Sequence, residues 1–251
     1  MNTTRKQTVL VTGAASGIGK ACARHLLSGG HEVLAFDLQR DHLMASLPAD
    51  AGRLELFAGD VSGTDVRAAV VDAAVKRFGK LDAVIHWAAT HSTKHWTELT
   101  AEEFNRVLNV NVTGSFLIAQ AAARHMVLNK RGSIVLTAST AVIQAPIGGA
   151  SGAGGPAYVA SKAAITGLVR TLARSLGPSG IRVNGVAPGV TETPMISNYS
   201  AERRAEQIER VPLGRIGEPE DIAEVGCFLI SDAARFMTGE VVIVNGGAAF
   251  G

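Results

Sequence analysis

A short apolar run, Val9–Val11, opens directly onto Thr12-Gly13-Ala14-Ala15-Ser16-Gly17-Ile18-Gly19 and an alanine-rich segment behind it. Glycines at such a turn let the backbone bend sharply and come close to a pyrophosphate. A helix starting there offers free N–H groups and the positive end of its dipole. Gly13, Ser16, Gly17, Ile18 and Gly19 are therefore candidate phosphate contacts. The spacing, Gly-x-x-x-Gly-x-Gly, differs from the Gly-x-Gly-x-x-Gly of the long dinucleotide folds, and a glycine-rich turn alone is a weak signal. A second feature strengthens it. Asp37 closes Val33-Leu34-Ala35-Phe36-Asp37 about twenty residues further on, where a carboxylate accepts both ribose hydroxyls of NAD and repels a 2′-phosphate. Leu38, not an arginine, follows it. Asp60 and Val61, after the third apolar run, stand where they would meet the adenine.

These residues need elements to hold them. The strand candidates are Thr8–Thr12, Glu32–Phe36, Leu54–Ala58, Ala83–Trp87, Ser133–Thr137, Arg182–Val186 and Val241–Val244. Most are continuously apolar, as in strands buried on both faces of a parallel sheet. Helical patterns lie between them at Gly17–Ser28, Thr64–Phe78, Ala101–Asn129, Ala157–Leu176 and Glu218–Ser231. Strand alternating with helix predicts right-handed crossovers and one α/β domain over residues 1–251, a Rossmann-like doubly wound parallel sheet of about seven strands flanked by helices.

Composition narrows the function classes. The 251 residues carry 24 basic and 22 acidic side chains, a net charge of +2, which argues against nucleic acid as the main partner. Two cysteines, Cys22 and Cys227, are too few for a disulfide framework or a cysteine-rich metal site, and read as buried inert thiols. No secretory leader or membrane span is visible, so the expectation is a cytoplasmic protein without membrane contact.

With Tyr158-Val159-Ala160-Ser161-Lys162 added to Thr12–Gly19, the chain resembles the short-chain dehydrogenase/reductase family from end to end. Asn111-Val112-Thr113-Gly114, Ser139 at the close of strand five, Pro188-Gly189 after strand six and Gly214–Ala223 extend the match. The resemblance implies an NAD-dependent oxidoreductase interconverting a secondary alcohol and a ketone, with Asn111, Ser139, Tyr158 and Lys162 as the catalytic set. Tyr158 and Lys162, four apart, share one helix face. A tyrosine with pKa about 10 becomes a usable base when a lysine ammonium and an oxidised nicotinamide favour its phenolate. Ser139 would hydrogen-bond the substrate oxygen, Lys162 would also hold the nicotinamide ribose, and Asn111 would distort its helix and place a water for proton relay. Ala88, Pro188, Gly189, Thr191 and Thr193 complete the cofactor contacts that the resemblance implies. It also implies a small-molecule alcohol or ketone as partner, a homo-oligomer (tetramer or dimer) and no metal. Two other readings are an NADPH-dependent 3-oxoacyl-type ketoreductase, against which Asp37 counts, and a non-catalytic NAD-sensing binding protein, against which the intact catalytic set counts.

The sequence departs from the family in three places. His86-Trp87-Ala88-Ala89 replaces the usual Asn-Asn-Ala-Gly, with His86 expected to take over a structural role through its ring nitrogens. His91 and His95 have a metal-like spacing but fall on a loop without further ligands; they are read as polar loop residues bordering the substrate pocket. Ser139 and Tyr158 stand 19 positions apart, an excess absorbed by 148–155, five glycines in eight residues. That stretch is expected to be a mobile loop shaping substrate access. A second mobile element is expected over Met195–Arg210, where Met195, Ile196 and Tyr199 would cover an apolar substrate; the alternative is an ordinary amphipathic helix with its apolar side inward.

Overall fold

All seven apolar runs are strands: β1 (Thr8–Thr12), β2 (Glu32–Asp37), β3 (Leu54–Ala58), β4 (Ala83–His86), β5 (Gly132–Thr137), β6 (Ile181–Pro188) and β7 (Val241–Val244). They form one parallel sheet in the order β3-β2-β1-β4-β5-β6-β7, in a computed structural model describing residues 5–50, 52–63, 65–149 and 154–251. Alternate residues of the central strands feed two cores. Leu10, Leu34, Val84 and Ile134 pack against α3 (Val66–Phe78), α5 (Gly114–Met126) and α7 (Pro156–Leu176). Val9, Val11, Ala35 and Ile85 pack against α1 (Gly17–Ser28) and α9 (Pro219–Ile230) on the other face. Burial on both sides is why these strands read as continuous hydrophobic runs.

Several boundaries differ from the sequence expectation. Strands β2, β5 and β6 run one to two residues further at one or both ends, and β4 stops one residue earlier, at His86. The long pattern over 101–129 is not one helix. It is α4 (Ala101–Leu108), a π-turn (Asn109–Thr113), α5 and a closing 3₁₀ turn (Val127–Asn129). Two short helices, α2 (Arg40–Ser46) and α6 (Ala141–Gln144), escaped periodicity because they are too brief to display it, and α8 (Ala201–Glu209) lies inside the 195–210 span for which a helix is the alternative reading. The Gly214–Ala223 stretch acts as the start of α9. Pro219 occupies its first turn, Asp221 accepts from the Glu218 N–H at 2.7 Å, and Arg215 closes a bidentate pair on Asp221 at 2.5 and 2.8 Å.

Cys22 of α1 and Cys227 of α9 bring their Sγ atoms to 3.7 Å, a contact between free thiols that no spacing in the chain indicates. The neighbouring Cys22 thiol and burial push Cys227 well above the usual thiol range, so it stays protonated. No helix among the described residues is long and apolar enough to cross a membrane.

Trp87, just past β4, lays its ring on α9 at Gly226, where a Cβ would come within 2.6 Å of Cζ2. Gly226→Ala should therefore force the indole aside and cost about 1–3 kcal/mol. For a chain of this length that corresponds to a thermal midpoint lower by about 2–4 °C per kcal/mol, read by calorimetry or circular dichroism.

Candidate active site

Because all seven strands are parallel, their carboxyl ends open on one edge, and a cleft of about 1250 Å³ lies there. Every predicted cofactor contact lines it: Gly13, Ser16, Gly17, Ile18, Gly19, Asp37, Asp60, Val61, Ala88, Tyr158, Lys162, Pro188, Gly189, Thr191 and Thr193. Ser139 lines it too. Asn111 does not; its neighbours Asn109 and Val110 form the wall while Asn111 sits behind them, fully buried.

At one end the β1–α1 turn is shaped to take a group against its backbone. Gly13 has φ +67° and Gly17 φ +47°, conformations that a side chain would strain. A Cβ on Gly13 would meet the Ala88 nitrogen at 2.9 Å, and one on Gly17 would meet Thr193 Cγ2 at 2.9 Å, so the turn is wedged between β4 and the segment after β6. Ser16 caps α1 without a side-chain hydrogen bond, leaving the N–H groups of the first turn to a ligand. Asp37 is fixed at the mouth by two backbone donors, the Ala15 N–H at 2.9 Å and the Leu38 N–H at 2.7 Å. Free helix donors, a cradle that side chains would fill and a pinned carboxylate fit a dinucleotide.

Helix α7 supplies the other end. Tyr158 and Lys162 share its inner face, with the Lys162 ammonium 5.7 Å from the centre of the Tyr158 ring. Lys162 is 2% exposed, and its Nζ donates to the Thr137 carbonyl at 2.8 Å. Ser139 takes the Ala141 N–H on its hydroxyl at 3.1 Å and hydrogen-bonds Tyr158. Asn111, in the middle of the π-turn, works as a three-way bolt. Its Oδ1 accepts the Thr90 N–H at 2.8 Å, while its Nδ2 donates to the Thr90 carbonyl at 2.8 Å and to Ser161 Oγ at 2.9 Å. Ser161 in turn donates to the Tyr158 carbonyl at 2.7 Å. The helix distortion expected around Asn111 is present, and Ser161, within the Tyr-x-x-x-Lys run, joins it to α7.

Burial raises Tyr158 above the ordinary tyrosine value, the Ser139 hydrogen bond opposing it. Burial also pushes Lys162 down to about 7. Each is biased toward its neutral form, so the lysine alone does not make Tyr158 a phenolate.

His86 replaces the family's asparagine with a different bond pattern. Its Nδ1 lies 2.9 Å from Thr12 Oγ1, which already accepts the Ala88 N–H at 3.1 Å. The threonine hydroxyl thus links the His86 ring to the backbone just after β4. Nε2 is buried and has no partner among the described residues. Thr137 secures the same strand by donating to the His86 carbonyl at 2.5 Å. His91 lines the cleft and meets the Tyr158 ring edge-on, centres 6.4 Å apart, whereas His95 turns to Thr97 at 2.9 Å. No metal-binding cluster occurs among the described residues.

The two stretches expected to be mobile both reach the cleft. The glycine-rich stretch is tied at its ends, Gly149 N–H to the Thr93 carbonyl at 2.5 Å and Gly155 N–H to the Ser92 carbonyl at 2.8 Å; its centre, 150–153, lies outside the described residues. Gly154 touches the cleft, and a Cβ there would press on the Tyr158 ring at 2.5 Å. Over 195–210 a 3₁₀ turn (Pro194–Ile196) leads into α8; Met195, Ile196 and Tyr199 line the cleft, and α8 adds the polar Arg203 and Gln207 to the same wall. Gln144–Ile147, ahead of the glycines, form a further part of the wall that no sequence signal indicated.

Residues 13–249 match the enoyl-(acyl carrier protein) reductase family. The chain is 35% identical to a 3-oxoacyl-[acyl-carrier-protein] reductase of Thermotoga maritima, over 95% of this chain and 96% of that one. It is 38% identical to a cis-4-hydroxycyclohexanecarboxylate dehydrogenase of Sinomonas cyclohexanicum, over 96% of each. Its fold superposes with a TM-score of 0.89 on a glucose/ribitol-type short-chain dehydrogenase/reductase from Brucella melitensis, 34% identical, covering 98% of this chain and 97% of that one. The chain belongs to the short-chain dehydrogenase/reductase family, whose members here are oxidoreductases of alcohols and ketones.

His86 carries a pH signature. Burial, reinforced by the Lys162 ammonium, lowers its pKa from 6.5 to about 3. Between those values the unfolded chain binds a proton that the folded one refuses. The stabilisation is complete above about 6.5 and drains away as pH falls toward 3, at up to about 1.4 kcal/mol per pH unit. His86→Asn should flatten the pH dependence of unfolding between pH 4 and 6.5, as read by urea melts.

Proposed function

We propose that the chain is an NAD-dependent oxidoreductase interconverting a secondary alcohol and a ketone, with Tyr158 as general acid/base. The observation that carries this reading is the convergence of Ser139, Tyr158 and Lys162 at one end of a cleft whose other end is the glycine turn and Asp37. The nicotinamide, when bound, supplies the hydride acceptor and a positive charge. Ser139 donates its hydroxyl hydrogen bond to the carbinol oxygen and holds it beside Tyr158 Oη. Tyr158 takes the carbinol proton as the C–H bond breaks, and returns one to the developing alkoxide in the reverse direction. Lys162, near half-protonation at neutral pH, provides the cationic field that favours the phenolate and a donor for the ribose hydroxyls. Asn111 positions this machinery by locking the Thr90 loop to α7 through Ser161.

Asp37 supports NAD over NADP, since its fixed carboxylate would face a 2′-phosphate with like charge. The ring alcohol in the name of the Sinomonas relative accords with a secondary carbinol. A homo-oligomer also accords with the surface: β7 is apolar yet only partly buried, and Phe236 and Phe250 stand exposed.

The test follows NADH absorbance with a panel of secondary alcohols. Tyr158→Phe should lower kcat by about 10²–10⁴-fold; turnover that survives the change would falsify the mechanism. Asp37→Ala should lower the preference for NAD over NADP, measured as the ratio of kcat/KM values, by at least about tenfold. A wild type that already prefers NADPH refutes the cofactor assignment.

A further inference from the structure

Helix α8 wears its polarity the wrong way round. Its Ile208 is 39% exposed, whereas Gln207 beside it is 8% exposed. The cleft-facing stripe is Arg203 and Gln207 of α8, extended by Arg210 at its C-cap and by Tyr199 in the turn ahead of the helix. A helix that merely closed a hydrophobic pocket would present Ile208 there and give the arginines to solvent.

The cations of this stripe are short of counterions. Arg204, one residue off the stripe, pairs with Glu192. Arg203 gives one terminal nitrogen to Glu206 at 3.0 Å and stacks 5.6 Å from the Tyr199 ring centre, but its Nε–H is buried with no acceptor among the described residues. Arg210, exposed at the C-cap of α8, lines the cleft, and no ion pair holds it among the described residues. The carboxylates that line the cleft are Asp37 and Asp60. Asp37 is already engaged with the Ala15 and Leu38 N–H groups, and Asp60 accepts the N–H and hydroxyl of Ser62 at 2.8 and 2.7 Å. Both belong to the end of the cleft beyond the glycine turn. Tyr199, just ahead of α8, lines the same cleft as Tyr158 and stacks with Arg203.

We propose that the substrate carries an oxyanion, a carboxylate or sulfonate, set apart from the reacting carbon and held by Arg203 and Arg210, with Gln207 as a neutral donor between them. Guanidinium groups suit this task because their planar N–H pairs match the two oxygens of such a group. The proposal rests on the oxidoreductase reading for the meaning of "substrate", but the anion site can be tested without it.

Two measurements separate the ideas. The first compares NADH-driven reduction of 4-oxopentanoate and 6-oxoheptanoate with that of their methyl esters. The acids should have kcat/KM at least about tenfold above the esters, and Arg210→Gln should shrink that ratio by about tenfold. The second is saturation-transfer NMR of hexanoate against hexanamide, with and without NADH, in the wild type, Arg210→Gln and Arg203→Gln. Hexanoate alone should receive magnetisation, and both variants should lose it. Hexanoate binding that the variants abolish, in a protein that reduces no ketone, upholds the anion site and sinks the reaction. Ketone reduction that depends on Tyr158, with acids and esters handled alike and hexanoate indistinguishable from hexanamide, upholds the reaction and sinks the anion site. An acid preference untouched by Arg210→Gln and Arg203→Gln overturns the assignment to α8.

Discussion

A sheet in which every strand runs the same way has no hairpins, so each return passes through a helix and each carboxyl end arrives at one edge. That constraint organises the rest of this molecule. It brings together the glycine turn after β1, Asp37 at the end of β2, Asp60 after β3, Ala88 after β4, Ser139 after β5 and the Pro188-Gly189 pair at the end of β6. Residues more than a hundred positions apart become neighbours without any dedicated contact between them. The helices then need only supply what strands cannot: a free N-terminus from α1, and from α7 a tyrosine and lysine on one face.

Placing that pair has an electrostatic cost. Lys162 and His86 lie in the layer between the sheet and α7, both buried, and no carboxylate pairs with either. Such groups respond by shedding charge: Lys162 falls to about 7, His86 to about 3, and Tyr158 beside them moves up. Burial thus biases Tyr158 and Lys162 toward their neutral forms, with the lysine near the middle of its titration at physiological pH. A positive charge brought to the cleft would tip Tyr158 one way and Lys162 the other.

The parts legible in the sequence are those written contiguously. The turn Thr12–Gly19, the Tyr158–Lys162 spacing and the seven apolar runs each need only neighbours in the chain to be recognised, and each stands where it was expected. What depended on register or orientation was not legible. That His86 would meet Thr12 follows from β1 pairing with β4, which periodicity does not reveal. Helical spacing groups Arg203, Gln207 and Arg210 on one face, yet cannot say whether that face looks in or out, and the ordinary rule for amphipathic helices points the wrong way here. The Cys22–Cys227 contact joins two helices packed across one face of the sheet. Asn111 stood out as a poor helix former, but its link to Ser161 required α5 and α7 to be laid side by side.

The π-turn at Asn109–Thr113 makes this region depend on counting as much as on contact. Each α-helical residue advances about 100° around the axis, so widening a single turn shifts the phase of everything before it relative to everything after. The fold reads 101–126 as two helices in different frames. In its own frame α4 aims Glu103 at Lys94, 2.7 Å away, and Arg106 at Thr90, 3.1 Å away, and so clamps the loop over the cleft. Substitutions in either helix leave the frames alone. Loss of one residue between them would restore an uninterrupted, well-bonded helix and swing α4 by about a quarter turn. The site is thus more exposed to a change in length at this turn than to many changes of residue type in its walls.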